Sequence, residues 1–288
     1  MSSGPASPPP SPDQPDREAA RSFAQVAEAY DRGRPGYPPE AAPWLVGQRA
    51  VSVLELGAGT GRLTADLVRL GHDVLATDPL PEMLRLLSGR LPDVRTTVAS
   101  AEDLPVPDRS VDVVVSAQAF HWFEPARALP EIARVLRPGG QVALVWNHRD
   151  ERIPWVRRLG RVIGSPPQPT DPTHALLASG LFGYVDTTTF RHWQQVDRDS
   201  LRDLVTSRSN VATMTETERA RVLTEVDALY ADYGRGADGM LLPYVTHCYK
   251  AVVRARAGAE DDTSSSTRTG SPPTDGDDPD DGLLIDFS

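Results

Sequence analysis

The middle of the chain alternates between short apolar runs and amphipathic stretches, with turn residues between them. Residues 51–56 are an apolar run that ends at a glycine-dense loop, and residues 62–70 follow with the spacing of a helix that buries one face. The pattern then repeats. Asp73 to Thr77 reads as a strand closed by Asp78, 82–91 as a helix, 94–99 as a third strand, 111–116 as a fourth, 126–136 as a helix and 141–146 as a fifth strand. Strands alternating with helices predict parallel pairing and right-handed crossovers, because a parallel neighbour is reached only through a long connection. Beyond residue 147 the periods change. Residues 153–163 predict a helix, 164–172 a proline-rich loop, and 184–196 an alternating strand rich in β-formers. Two helices follow, 199–205 capped by Asp197 or Asp199 and 216–232 capped by Thr215, before a last strand at 242–253. Upstream, 17–30 predicts a helix with Phe23, Val26 and Ala27 inward, and 32–39 a loop.

The run Val53-Leu54-Glu55-Leu56-Gly57-Ala58-Gly59-Thr60-Gly61 carries the clearest chemistry. Strand, glycine loop and helix in immediate succession are the setting in which an open α/β sheet holds a nucleotide-like ligand beyond its strand ends. The spacing chooses among ligands. A dinucleotide fingerprint wants G-x-G-x-x-G; here the order is E-L-G-x-G-x-G, with Arg62, Leu63 and Thr64 after the third glycine. Asp78 stands 17 positions beyond Gly61 at the end of the second strand. An acidic residue there is placed to accept hydrogen bonds from ribose hydroxyls, which a carboxylate does well because it offers several lone pairs and no donor. A strand-end or helix-capping aspartate is the structural alternative.

The glycine loop resembles the first motif of class I S-adenosylmethionine-dependent methyltransferases. The blocks Ser100-Ala101-Glu102-Asp103-Leu104-Pro105, Asp112 to Phe123 (D-V-V-V-S-A-Q-A-F-H-W-F) and Arg134 to Gly140 (R-V-L-R-P-G-G) resemble the methyltransferase type 11 branch. Phe23 to Pro39, with Tyr30-Asp31-Arg32-Gly33-Arg34-Pro35-Gly36-Tyr37-Pro38, is similar to its trans-aconitate methyltransferase-like group. The resemblance spans 23–254, densely to Trp146 and only architecturally afterwards. It implies a Rossmann-like, seven-stranded, mostly parallel sheet with helices on both faces, an antiparallel last strand and a helical lid inserted at about 164–239. It also implies S-adenosyl-L-methionine as cofactor. Glu55, Gly57, Ala58, Gly59 and Gly61 would then hold its methionine and ribose parts, Asp78 the ribose, and Met83 the adenine face. Ala101 and Glu102 would lie at the adenine edge, Ala117 against the methionyl group, and Tyr30 and Arg34 would close over the cofactor. The acceptor would be a small molecule, methylated first at oxygen, with nitrogen and carbon as alternatives; a carboxylate follows if the likeness extends to substrate.

His121 is the candidate catalytic residue. It follows the fourth strand at the sheet's C-terminal edge, and imidazole exchanges protons near neutrality. Its alternative role is to shape the pocket within a His-Trp-Phe packing cluster. The sulfonium methyl is already activated, so holding a nucleophile in line supplies most of the rate, and a base is required only for poor nucleophiles. No His/Cys/Asp spacing predicts a metal, and Ser116 is outside any G-x-S-x-G elbow.

Charge narrows the partners. The 288-residue chain has a formal net charge of −10, all of it at the ends. Residues 259–288 carry nine acidic residues against one basic, and Asp13 and Asp16 supply the rest. Residues 17–258 are neutral, with 29 of each sign, which argues against nucleic acid as partner. The expected organisation is a disordered Pro/Ser-rich tail (1–16), one methyltransferase domain (17–258) with its core sheet at 51–147, and a disordered acidic tail (259–288). The single cysteine, Cys248, precludes an internal disulfide and fits a reducing, cytoplasmic setting; neither a spanning helix nor a secretory h-region is expected. A cofactor-binding protein without turnover and a nicotinamide oxidoreductase are the rival classes, the second disfavoured by the glycine order.

Overall fold

The computed structural model describes residues 33–164, 171–208, 211, 214–234 and 239–255. Tyr30, the 17–30 helix and both tails lie outside them. Seven strands form one sheet in the order β3-β2-β1-β4-β5-β7-β6. They are β1 (Ser52–Leu56), β2 (Asp73–Asp78), β3 (Arg95–Val98), β4 (Val111–Ala117), β5 (Leu136–Arg149), β6 (Phe182–Val196) and β7 (Met240–Val253). The first five pair in parallel, whereas β7 runs antiparallel to both β5 and β6. The expected Rossmann-like sheet is therefore present, with the last strand wedged between the fifth and sixth.

Both faces are covered, which is why the inner strands read as continuous apolar runs. On one face Leu54, Leu56, Val114, Leu144 and Trp146 pack against α4 (Pro125–Val135) and α6 (Pro172–Ala178). On the other, Val53, Val113, Val115, Val145 and Cys248 pack against α1 (Ala41–Val46) and α2 (Arg62–Arg69). Helix α3 (Pro81–Arg90) buries Leu84 and Leu87 beside Ala76. Helices α3, α4, α6 and α5 (Pro154–Ile163) open on proline, whose missing N–H costs nothing at that position and whose fixed φ suits a helix.

The predicted turn at Arg137-Pro138-Gly139-Gly140 is corrected. These residues lie inside β5, where the register with β4 shifts between Val111 and Val113. A bulge needs the same residues as a turn: Gly139 has φ +79°, and a Cβ on Gly140 would stand 2.8 Å from the Asp112 carbonyl oxygen. Helices α1 and α6 were not predicted.

Helices α7 (Arg198–Thr206) and α8 (Glu216–Tyr233) lie between β6 and β7 in sequence, as expected. Asp197 caps α7, its carboxylate accepting from the Ser200 N–H, and Thr215 caps α8 in a capping box with Glu218. They pack with α5 into a third apolar cluster built on Val156, Leu159, Leu201, Leu204, Leu229 and Leu242. The helical cap thus recruits a helix that precedes β6.

Candidate active site

The C-terminal ends of β1, β2 and β4 converge on one crevice. Beyond Leu56 the chain turns through Gly57 (φ +67°), Gly59 (φ +57°) and Gly61 (φ +83°) into α2. The loop is tied down at each step. The Ala58 N–H donates to the Thr77 carbonyl at 2.9 Å, and the Gly61 N–H to that of Ala58 at 3.0 Å. Asp78 Oδ2 accepts from the Gly59 N–H at 3.0 Å while Oδ1 accepts from the Leu80 N–H at 2.9 Å. Asp78 is buried and fastens the glycine loop to the end of β2. A Cβ on Gly57 would lie 2.5 Å from that of Ala119, so the loops after β1 and β4 touch there. A Cβ on Gly59 meets nothing within 4 Å. The turn thus presents bare backbone to open space, the arrangement a nucleoside requires.

Glu55 sits beneath this loop, 1% exposed, between Ala76 and Val115 of the neighbouring strands. The Thr64 hydroxyl on α2 donates to its Oε2 at 2.6 Å. Burial raises its carboxyl from the ordinary 4.5 to about 8, against the lowering effect of the Thr64 bond and with smaller repulsion from Asp66 and Asp78. Glu55 is therefore protonated at neutral pH.

Met83 is half-buried on α3. Ala101 is buried after β3, and the neighbouring Glu102 accepts from the Glu124 N–H at 2.9 Å, which joins this connection to the start of α4. Ala117 ends β4, half-buried. Next to it Gln118 holds φ +59°, its N–H donating to the Val145 carbonyl at 2.9 Å. A strained non-glycine residue at a strand end often marks a site. The sequence gave no sign of it.

His121 lies in a single 3₁₀ turn (Phe120–Trp122), exposed, its ring 4.8 Å from that of Trp122. Partial burial, with a further contribution from the nearby Arg34 charge, holds its pKa below the ordinary value. It is neutral near pH 7, the form in which it could take a proton. Arg34 belongs to a stretch laid across β5, β7 and β6: Asn147 donates to the Gly36 carbonyl at 2.9 Å and Gln194 to that of Gly33 at 3.3 Å. On this face the Thr246 hydroxyl donates to Asn147 Oδ1 at 2.6 Å, and His192 stacks on Tyr244 at 5.3 Å. His148 and His247 pair edge-to-face at 5.0 Å, and alternation along the strands turns both away from it. Burial, with repulsion from His247 and Arg149, pushes His148 down to about 4.

This strand order and this glycine crevice define a class I methyltransferase fold. Residues 54–144 match the methyltransferase domain family. The chain is 46% identical over 243 residues to an uncharacterized methyltransferase of Mycobacterium tuberculosis, covering 82% of this chain and 98% of that one. It is 33% identical over 218 residues to another of Schizosaccharomyces pombe, covering 73% and 87%. A candidate type II methyltransferase from Anaeromyxobacter dehalogenans superposes with a TM-score of 0.55 at 26% identity, covering 77% of this chain and 97% of that one. The chain belongs to the class I S-adenosylmethionine-dependent methyltransferases and is an enzyme of that family. Among the described residues no helix is long and apolar enough to cross a membrane, and no group of three His, Cys, Asp or Glu is arranged to hold a metal ion.

Proposed function

We propose that the chain transfers the methyl group of S-adenosylmethionine to an oxygen of a small-molecule acceptor, with a carboxylate as the first class to test. The observation that carries this reading is the meeting of the Gly57–Gly61 loop, Asp78 and the strained Gln118 at one sheet edge, with His121 just beyond. The open backbone at Gly59 supports the fit of the cofactor, as does the buried carboxylate beside it. When bound, the cofactor supplies an activated methyl. The chain's own groups position it: Glu55, Gly57, Ala58, Gly59 and Gly61 toward methionine and ribose, Asp78 toward the ribose, Met83, Ala101 and Glu102 around adenine, and Ala117 beside the sulfur end. Tyr30 and Arg34 would close over it.

Two features favour a carboxylate. An ionised carboxylate is a nucleophile that requires no base, which suits a site whose nearest imidazole is neutral and weakly basic. Arg34 sets a positive field over the same region, and the Tyr30-to-Pro38 stretch is similar to the trans-aconitate methyltransferase-like group. His121 shapes the pocket for such an acceptor; with a hydroxyl acceptor it would serve as base.

The test is transfer of labelled methyl to a panel of small acids, phenols and amines. Transfer to acids, with His121→Asn changing KM more than kcat, supports the carboxylate reading. Transfer to phenols alone, with kcat lost in His121→Asn, replaces it with base catalysis on a hydroxyl. Tight S-adenosylmethionine binding with no transfer to any member would favour a cofactor-binding protein without turnover.

A further inference from the structure

Where the cap meets the sheet, buried cations gather that the cofactor site does not use. Arg149 ends β5 and is paired across the ladder with Tyr244 of β7, so the two side chains rise on the same face. The Arg149 side chain is only 6% exposed, yet its ion pair is a single 3.6 Å contact with Glu151, and its Nε has no hydrogen-bond partner. Tyr244 is 4% exposed and its hydroxyl has no partner either. Arg208, two residues beyond α7, contributes a third orphaned buried donor at Nε. Arg149, Arg208, Tyr244 and Arg34 lie within one another's electrostatic reach.

This arrangement is costly as it stands. Taking a guanidinium out of water is unfavourable unless a counter-charge and hydrogen bonds replace the solvent, and buried orphaned donors call for a partner. Burial and mutual repulsion push Arg208 down to about 10, and burial lowers Arg149 as well. A dry, positively charged pocket holding a planar fork and a phenol donor is complementary to an oxyanion. Arg34 acts both on this cluster and on His121, which places the pocket beside the reacting edge rather than apart from it.

We propose that Arg149, Arg208 and Tyr244 form an acceptor subsite that grips a carboxylate or phosphate group other than the atom methylated. The natural acceptor then carries at least one spectator oxyanion. This rests on the methyltransferase reading and adds a substrate requirement to it.

The experiment uses the full chain saturated with S-adenosylhomocysteine, titrated calorimetrically with succinate, inorganic phosphate and neutral dimethyl succinate. Succinate or phosphate should bind and the diester should not; preference between the two anions assigns carboxylate or phosphate. Arg208→Met and Tyr244→Phe keep apolar bulk, and each should weaken the anion at least tenfold while leaving S-adenosylhomocysteine affinity within twofold. The inference is overturned if the diester binds as well as succinate, or if Arg208→Met leaves anion affinity unchanged. It is overturned too if the substitutions abolish S-adenosylhomocysteine binding, which would place the cluster in the cofactor site. A wild type that does not bind S-adenosylhomocysteine sinks the methyltransferase reading; one that binds it and refuses both anions sinks this inference alone.

Discussion

Replacing Glu55 by Gln should change how stability depends on pH more than stability itself at any acidic pH. The folded carboxyl titrates at about 8 and an unfolded one at 4.5. Below 4.5 both states hold the proton and the residue contributes no pH dependence. Between 4.5 and about 8 the unfolded chain has released its proton and the folded chain has not, so each rise in pH favours unfolding. At about 1.4 kcal/mol per pH unit the full window is worth about 5 kcal/mol, lost once pH exceeds the folded value. Glu55→Gln removes the titrating group and keeps an acceptor for the Thr64 hydroxyl. Urea unfolding of both proteins at pH 5, 6, 7 and 8 isolates the contribution of Glu55, since other groups cancel in the difference. The stability of wild type relative to the variant should fall by about 3 to 4 kcal/mol from pH 5 to pH 8. A difference that stays constant within about 1 kcal/mol would refute the account, because a carboxyl that ionises normally in the fold has no such linkage.

Asp78→Ala removes the acceptor for the Gly59 and Leu80 N–H groups. Losing charged-acceptor bonds at about 1.5 to 3 kcal/mol should weaken S-adenosylhomocysteine roughly tenfold to a hundredfold in calorimetry; unchanged affinity would remove Asp78 from the site. Arg134 donates to both oxygens of Glu131, to Asp108 and to the carbonyls of Leu104 and Val106, pinning the 102–110 connection to α4. Arg134→Ala should cost about 2 to 4 kcal/mol in denaturant titration, and Arg134→Lys should recover little, since an ammonium cannot reproduce the fork. A cost under about 0.5 kcal/mol would show the network to be ornamental. Burial pushes the Cys248 thiol up to about 12. A thiol reagent at pH 8 should therefore label it only as fast as the chain opens; rapid labelling of native protein would contradict its burial.

The parts of the fold that were legible are those whose signal is contiguous. Residues 51–70 spell strand, glycine loop and helix without interruption, and Asp78 follows one crossover later, so both the crevice and its carboxylate could be placed before any contact was known. Short elements escaped. Helices α1 and α6 have six and seven residues, less than two turns, too few for a 3.6-residue period to stand out. The Pro-Gly-Gly of β5 misled for a different reason: positive φ is demanded equally by a tight turn and by a bulge, and only the pairing partner Asp112 tells them apart. The wedging of β7 between β5 and β6 depends on which edges the ladders choose. No local pattern encodes that.

The same limit explains why the acceptor side was silent while the cofactor side was not. Gly57 to Asp78 are neighbours in sequence because a nucleoside is gripped by one strand-loop-helix unit and the strand next to it. Arg34, Arg149, Arg208 and Tyr244 are scattered over more than two hundred positions and meet only because β7 runs back antiparallel along β5 and the cap folds onto that edge. Each looks ordinary alone: an arginine among many, a tyrosine in a strand. Their meaning comes from burial, and burial is a property of the fold. A change of acceptor within such a scaffold therefore requires altering a few residues near the ends of β5 and β7 and in the cap, none of which need disturb the glycine loop. If the oxyanion subsite is correct, Arg208→Met should shift preference toward less charged acceptors rather than abolish methyl transfer. The ratio of kcat/KM between a diacid and its monoester measures that directly, and an unchanged ratio would separate the arginines from specificity.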